Sequence, residues 1–386
     1  MGGLISYDRR VELDSYSFSR IHVKIVISAW HLKNRNVGIG RYTYHLIENL
    51  ARVDHTNRYE ILIPEGPHDF QPWPNVRYRL IRLPVFKRRV WEQLAPLVVG
   101  NYDLLHFPYD SCIGMKRGKF VVTLHDAKPL LFPQTSNRRS WKQALKNIIA
   151  PHPLQKIDHV VTVSECSRRD LIGQLGISED RITVIYQGVD LEHFSPSPQS
   201  QAERFNFMPY VLCVAGTDPS KNVKNLIGAF SRLPSEIRRQ HHLVLVGDVN
   251  RCKALRQLVK EQGIAEQTVF TGLVSDPQLV ALYQQASVFV FPSLYEGFGL
   301  PVLEAMACGC PVITSSTSSL PEVAGKAGIL VNPNNTTELM EAMTQVLTDT
   351  ALAPTLRKMG REQAEKFSWE KTARATADLY QKVWHG

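Results

Sequence analysis

The sequence predicts an α/β chain folded as two doubly wound, mostly parallel sheets. Three observations carry that prediction. Short β-branched or apolar runs alternate with helical patterns through both halves. The alternation breaks once, over Asp190–Asn206, where Pro196, Pro198 and several Ser and Gln follow one another without periodicity. It restarts at Tyr210. At roughly 150 residues per domain, 386 residues suit two domains or three.

In the first half, His22-Val-Lys-Ile-Val-Ile-Ser28 reads as a strand. A loop with Gly38 and Gly40 follows, then a helical stretch from about Arg41 to Arg52. Further strands are expected at Tyr59–Ile63, Arg77–Leu83, Tyr102–Phe107, Phe120–Leu124, His159–Val163 and Ile182–Tyr186. In the second half the strands are Tyr210–Ala215, His242–Val246, Thr268–Thr271, Val288–Phe291, Pro311–Thr314 and Gly328–Val331. Helical patterns lie between them at Asn222–Arg232, Lys253–Gln262, Gln278–Gln285, Gly299–Cys308 and Thr337–Leu347. A last helix runs from Ser368, a candidate N-cap, to Trp384.

Hydrophobic residues make up 44% and charged residues 21%, enough for each half to bury a core. No apolar run approaches the ~18 residues of a spanning helix. Residues 1–20 carry Arg9, Arg10, Glu12, Asp14 and Arg20 and lack an apolar core, so a secretory signal is not expected. Met1-Gly2 through Ser6 matches the loose N-myristoylation pattern, which is short enough to arise by chance. The six cysteines form no C-x-x-C pair, and the expectation is a reduced, cytoplasmic chain. Of the net charge of +9, residues 1–195 carry +8, from 27 Lys and Arg against 19 Asp and Glu. Such a field favours an anionic partner for the first half.

The chemistry concentrates in Phe291-Pro-Ser-Leu-Tyr-Glu296-Gly-Phe-Gly299-Leu-Pro301-Val-Leu-Glu304-Ala-Met-Ala-Cys-Gly309. A strand ends near Pro292, and a turn with Glu296, Gly297 and Gly299 leads into a helix with Pro301 in its first turn. A helix start offers free N–H groups and partial positive charge to an anion, and the glycines let phosphates approach the backbone. Glu304 lies one turn in, placed to accept from hydroxyl groups. On pattern alone, solvated glutamates around an ordinary turn fit equally well.

Glu-Gly-Phe-Gly-Leu-Pro-Val-Leu-Glu, with seven residues between its glutamates, resembles the signature of the retaining glycosyltransferases of family 4. The resemblance implies the GT-B fold, with two Rossmann-like domains facing across a cleft. Val214-Ala-Gly216-Thr217-Asp-Pro-Ser-Lys221-Asn222 is similar to that family's donor-phosphate loop, and Phe270-Thr-Gly272-Leu273-Val274 to its nucleobase loop. Ser318–Glu322 and Gly328–Pro333 resemble its closing strands. In the first half, Gly38-Ile-Gly40-Arg-Tyr-Thr-Tyr, Leu124-His125-Asp126, Val163-Ser164-Glu165 and Gln187-Gly188-Val189-Asp190 match as well. Phe367-Ser-Trp369-Glu resembles the helix that crosses back onto the first domain.

The resemblance implies an acceptor-binding domain over 1–195, a donor-binding domain over 206–368, and a helix 369–386 packed back on the first. It implies that Glu304 holds the nucleotide ribose. Glu296 then meets the donor sugar together with the N–H groups near Gly297, Phe298, Gly299 and Leu300. Lys221 neutralises the diphosphate, a role the chemistry itself requires because charge builds on the departing nucleotide. Gly40, Gly216, Thr217, Asn222, Leu273 and Val274 line the donor, and His125 lies near its sugar. An Arg that often precedes the lysine in the family is replaced here by Ser220.

No Asp-x-Asp occurs in the chain, so metal-independent handling of the diphosphate by Lys221 and backbone N–H groups is expected, without a cofactor. The resemblance also implies retention of anomeric configuration, a donor of UDP-glucose or, next, GDP-mannose, and a glycan or lipid-linked acceptor in polysaccharide or glycoconjugate synthesis. A non-catalytic nucleotide or sugar binder on the same fold is the alternative. Residues 77–89 alternate six cations with apolar residues, and Arg138-Arg139-Ser-Trp141-Lys142 is a second basic stretch. These are either solvated faces or a surface for anionic lipid headgroups, allowing peripheral attachment at the inner face of a membrane. Nucleic acid is not expected as a partner, since no recognition motif accompanies the charge.

Overall fold

The computed structural model describes residues 23–34, 38–64, 71–82, 88–111, 117–132, 155–196 and 209–386. The first sheet holds β1 (Lys24–Ser28), β2 (Arg58–Ile63), β3 (Val76–Leu80), β4 (Leu104–Phe107), β5 (Lys119–Thr123), β6 (His159–Thr162) and β7 (Ile182–Val184) in the order β3-β2-β1-β4-β5-β6-β7, all parallel. The second holds β8 (Tyr210–Val214), β9 (His242–Val246), β10 (Thr268–Gly272), β11 (Val288–Phe291), β12 (Val312–Ser315) and β13 (Ile329–Val331) in the order β10-β9-β8-β11-β12-β13, also parallel. Helices on both faces explain why the central strands read as continuous apolar runs. Ile25, Val26 and Ile27 are all fully buried, as are Val288, Phe289 and Val290.

In each sheet the strand order reverses once, between β1 and β4 and between β8 and β11. Crevices open outside the carboxyl ends of strands at such switch points. The loops after β8 and β11 are 216–222 and 292–299, the two segments richest in candidate site residues.

The last helix, Trp369–His385, capped by Ser368, packs on the helix Gly38–Val53 of the first half. Trp369 stacks on His45 with ring centroids 4.9 Å apart, and Tyr380 Oη lies 2.6 Å from His106 Nδ1. Gly188 permits this contact, since a Cβ there would sit 2.0 Å from the Trp369 nitrogen.

Several expectations need correction. Gly38 and Gly40 open the helix, but it starts at Gly38 rather than about Arg41, so both glycines lie in its first turn, with Gly38 at φ +37°. Ser318–Glu322 is not a strand: it is a turn leading into the helix Leu320–Ala324, started by Pro321, and only Ile329–Val331 pairs. The expected strand Arg77–Leu83 runs Val76–Leu80. The helix Leu352–Ala364 had no expected counterpart. The N-terminal segment 1–20, the basic stretch 138–142 and most of the linker lie outside the described residues.

Candidate active site

The loop after β8 closes with a 3-10 turn, Pro219–Lys221, and Asn222 in the left-handed region at φ 55°. Asn222 donates through its amide to the carbonyls of Pro292 (3.1 Å) and Pro333 (2.6 Å), and the Leu294 N–H bonds the Ser220 carbonyl at 2.7 Å. These bonds fasten the loop to the turn after β11 and to the segment after β13. Lys221 then reaches across, its Nζ 2.8 Å from Glu296 Oε1 and 4.8 Å from the centre of the Phe291 ring. Gly216 lies against the Lys221 stem, and Thr217 is exposed.

The turn itself is set by Ser318 and Ser319. Both hydroxyls donate to the Glu296 carbonyl, at 2.6 and 2.9 Å, and Ser319 also donates to Phe298 O at 2.7 Å. Gly299, at φ +116°, caps the helix Leu300–Ala307, with Pro301 inside the first turn. The Val302 N–H already bonds the Gly299 carbonyl at 3.0 Å and Pro301 has none, so the partial positive charge of the helix start is carried by the N–H groups around Gly299 and Leu300. The Phe298 side chain is buried between the Tyr186 and Phe367 rings, so only its backbone is offered to a ligand.

Glu304, one turn on, is buried. Its Oε1 receives Arg41 Nη1 at 2.7 Å and its Oε2 receives Tyr283 Oη at 3.3 Å. Burial raises its pKa, and the Arg41 charge pulls the other way. An ionised carboxylate has about four lone-pair positions, so two bonds leave capacity for a ribose. Arg41 also holds Asp276 Oδ1 at 2.7 Å. The nucleobase-loop candidates precede Asp276. Gly272 stands at φ +77°, Leu273 is 81% exposed, and Val274 is partly buried.

Arg41 belongs to the first half, so this cluster draws the two sheets together. Other contacts do the same. Glu322 accepts from the N–H groups of Glu165 and Cys166, both at 2.8 Å, at the start of the helix Glu165–Leu175. Ser164 Oγ donates to Gly297 O at 2.7 Å. A Cβ on Gly297 would stand 2.6 Å from the His125 carbonyl, so only glycine allows the two halves to meet there. His125 Nε2 lies 3.0 Å from the Pro108 carbonyl, which can only accept, so that nitrogen carries the proton and Nδ1 faces Gln187. Burial lowers its pKa, which favours the neutral ring, and the ring packs edge-on against Tyr42.

The structure thus brings Lys221, Glu296 and Gly216 together, sets Gly297 against the His125 carbonyl, and pairs Glu304, in the helix that Gly299 caps, with Arg41, the residue after Gly40. The sequence reading quoted Arg41 but gave it no part, and it missed Asp276, Tyr283 and the pair Lys128 Nζ–Asp218 Oδ2 at 2.7 Å. The one available signal was a cation directly after Gly40. Within 77–89, Arg88 turns inward to Glu92 (3.2 Å), Asp110 (3.4 Å) and His31 (3.0 Å), and Arg79 pairs with Glu60. Neither is a free basic group on a solvated face. Arg82 and Arg89 are exposed, as are Val90, Leu94 and Val98 at four-residue spacing. Among the described residues, no group of three or more acidic, His or Cys side chains is arranged to hold a metal ion, and no helix is long and apolar enough to cross a membrane.

Residues 199–367 match the family described as glycosyl transferases group 1, and residues 37–193 match glycosyltransferase family 4. The chain is 30% identical to the O-antigen chain mannosyltransferase B of Escherichia coli, over 93% of this chain and 99% of that protein. It is 34% identical to the MMP alpha-(1->4)-mannosyltransferase of Mycolicibacterium hassiacum, over 74% of this chain and 71% of that one. Among solved structures, the sucrose-phosphate synthase of Thermosynechococcus elongatus superposes with a TM-score of 0.74 at 24% identity, covering 94% of this chain and all of that one.

Proposed function

The chain belongs to the group 1 glycosyl transferases of family 4, and from that premise we propose that it moves a hexose from a nucleotide sugar to a hydroxyl of a glycan or lipid-linked acceptor, with retention of anomeric configuration. Relatives named as mannosyltransferases favour GDP-mannose over UDP-glucose as donor. The O-antigen relative favours a growing polysaccharide as the setting.

One observation carries this reading: Lys221 and Glu296, 2.8 Å apart, come from the two loops at the switch point of the second sheet, with Glu304 one turn further on. Before donor binds, each charge satisfies the other. A diphosphate draws Lys221 onto its oxygens, assisted by the N–H groups at the start of the helix Leu300–Ala307. Glu296 is then free to accept from sugar hydroxyls, and Glu304 from the ribose. The bond from the sugar C1 to the phosphate oxygen breaks, and the acceptor oxygen bonds C1 on the same face. The acceptor's proton passes to the departing phosphate oxygen. Lys221 acts most strongly as that charge develops. His125, neutral and held by Pro108, contributes shape and a dipole beside the sugar rather than charge. Neutralisation by Lys221 and backbone N–H groups makes the reaction independent of divalent metal.

The test is a panel of nucleotide sugars in EDTA, read by thermal shift and by slow hydrolysis. Stabilisation and turnover by GDP-mannose or UDP-glucose supports the proposal. Binding without hydrolysis would favour the non-catalytic binder, and activity that returns only with Mg²⁺ or Mn²⁺ would refute metal independence.

A further inference from the structure

The loop 216–222 carries one cation, Lys221, and that cation is already matched by Glu296. A departing nucleoside diphosphate develops more charge than one matched lysine balances. The residue before Lys221, where a further cation would be convenient, is Ser220, which is 1% exposed and leaves no room for a long side chain. The first half supplies a cation instead. Lys128 begins the short helix Lys128–Leu131, just after His125 and Asp126, with Ala127 between them at the N-cap. Its N–H bonds Asp126 Oδ1 at 2.8 Å, and its Nζ crosses the cleft to Asp218 Oδ2 at 2.7 Å. Asp218 stands two residues beyond Gly216 and turns its other oxygen to the Ser220 N–H at 2.9 Å.

Resting on the donor reading above, we propose that Lys128 is the second cation of the diphosphate site, held on Asp218 while the cleft is empty and passed to the phosphates when donor binds. Three features favour transfer over a fixed ion pair. Asp218 is about one-third exposed, so water takes up its charge when Lys128 leaves. Its carboxylate keeps the Ser220 N–H and holds the loop in shape without Lys128. A lysine is a point charge on four rotatable methylenes, suited to changing partners.

The arrangement couples chemistry to closure. In this closed arrangement segment 125–128 is pressed on the turn, with Gly297 against the His125 carbonyl and the Ala127 N–H 3.4 Å from Tyr295 Oη. Lys128 is therefore a positioned charge for the leaving group in the closed cleft alone, where excluded water makes it most effective.

The experiment measures the affinity of GDP and UDP, with guanosine and uridine as controls, by calorimetry, and donor hydrolysis by kinetics. It uses wild type, Lys128→Ala, Lys128→Arg and Asp218→Asn. Lys128→Ala should lose on the order of a hundredfold in kcat, bind the diphosphates several-fold more weakly and bind the nucleosides unchanged. Lys128→Arg should recover most of both losses. Asp218→Asn keeps an acceptor for the Ser220 N–H but removes the competing anion, so diphosphates should bind more tightly. Equal weakening by Lys128→Ala and Asp218→Asn would show a closure pair only and overturn the proposal, as would wild-type behaviour of Lys128→Ala. A wild-type protein that binds neither diphosphate would instead bring down the donor reading.

Discussion

Replacing Arg41 with Met keeps the aliphatic stem and removes the guanidinium that joins the two halves at Glu304 and Asp276. The two bonds differ in worth. Asp276 is 38% exposed at its side chain, and a pair of that kind contributes about 0–1 kcal/mol. Glu304 is 7% exposed, and stranding a buried carboxylate costs about 3–5 kcal/mol. The loss is not charged to the fold of either sheet, because parting the two halves returns Glu304 to water. The closed arrangement should therefore weaken by about 3 kcal/mol, on the order of a hundredfold in population. X-ray scattering should show a larger radius of gyration for the variant, with little change in the melting of the separate sheets. The effect should depend on pH. Burial already raises the Glu304 pKa and Arg41 opposes that rise, so removing Arg41 raises it further. A carboxyl with a raised pKa favours the closed state below its open-state pKa and loses that contribution as pH rises through the closed-state value. Acidification should thus recompact Arg41→Met. Identical scattering of variant and wild type across the pH range would refute the reasoning.

Glu304→Gln should weaken nucleotide binding by ~1–3 kcal/mol, measured by calorimetry, because an amide offers one acceptor oxygen where the carboxylate offers two; unchanged affinity would remove Glu304 from the ribose. Glu92 is 1% exposed, and burial, opposed by Arg88, pushes its pKa up to about 7. Its contribution to stability is fully present below the ordinary glutamate range and falls away as pH rises through 7, by about 3 kcal/mol in all, so Glu92→Gln should flatten thermal melts between pH 5 and pH 8. Vesicle co-sedimentation tests the basic face: changing Arg82, Lys87 and Arg89 to Ser should remove ~1 kcal/mol per charge of binding to anionic vesicles. Equal pelleting with neutral vesicles would leave an ordinary solvated surface.

The strands were legible because parallel sheets covered on both faces leave continuous apolar runs, as at Ile25–Ile27 and Val288–Phe291. The spatial order of the strands was not, since nothing local distinguishes a central run from a neighbour. Glu296, Gly299 and Glu304 could be found because one strand–turn–helix unit carries them all. Ser318 and Ser319 looked like part of a strand, yet their hydroxyls hold the turn two loops away. Arg41 and Glu304 are 263 residues apart, and only the closing of one sheet on the other reveals their pairing. The same holds for Lys128, whose partner lies on the far side of the cleft.

Proton NMR of GDP-mannose turnover in EDTA tests the central claim most directly, by following the first anomer of mannose released by wild type and by Lys221→Ala. The account predicts that the α-anomer of the donor appears first, before mutarotation, and that Lys221→Ala slows its release on the order of a hundredfold or more. Release of the β-anomer first, or equal rates from wild type and Lys221→Ala, would contradict it.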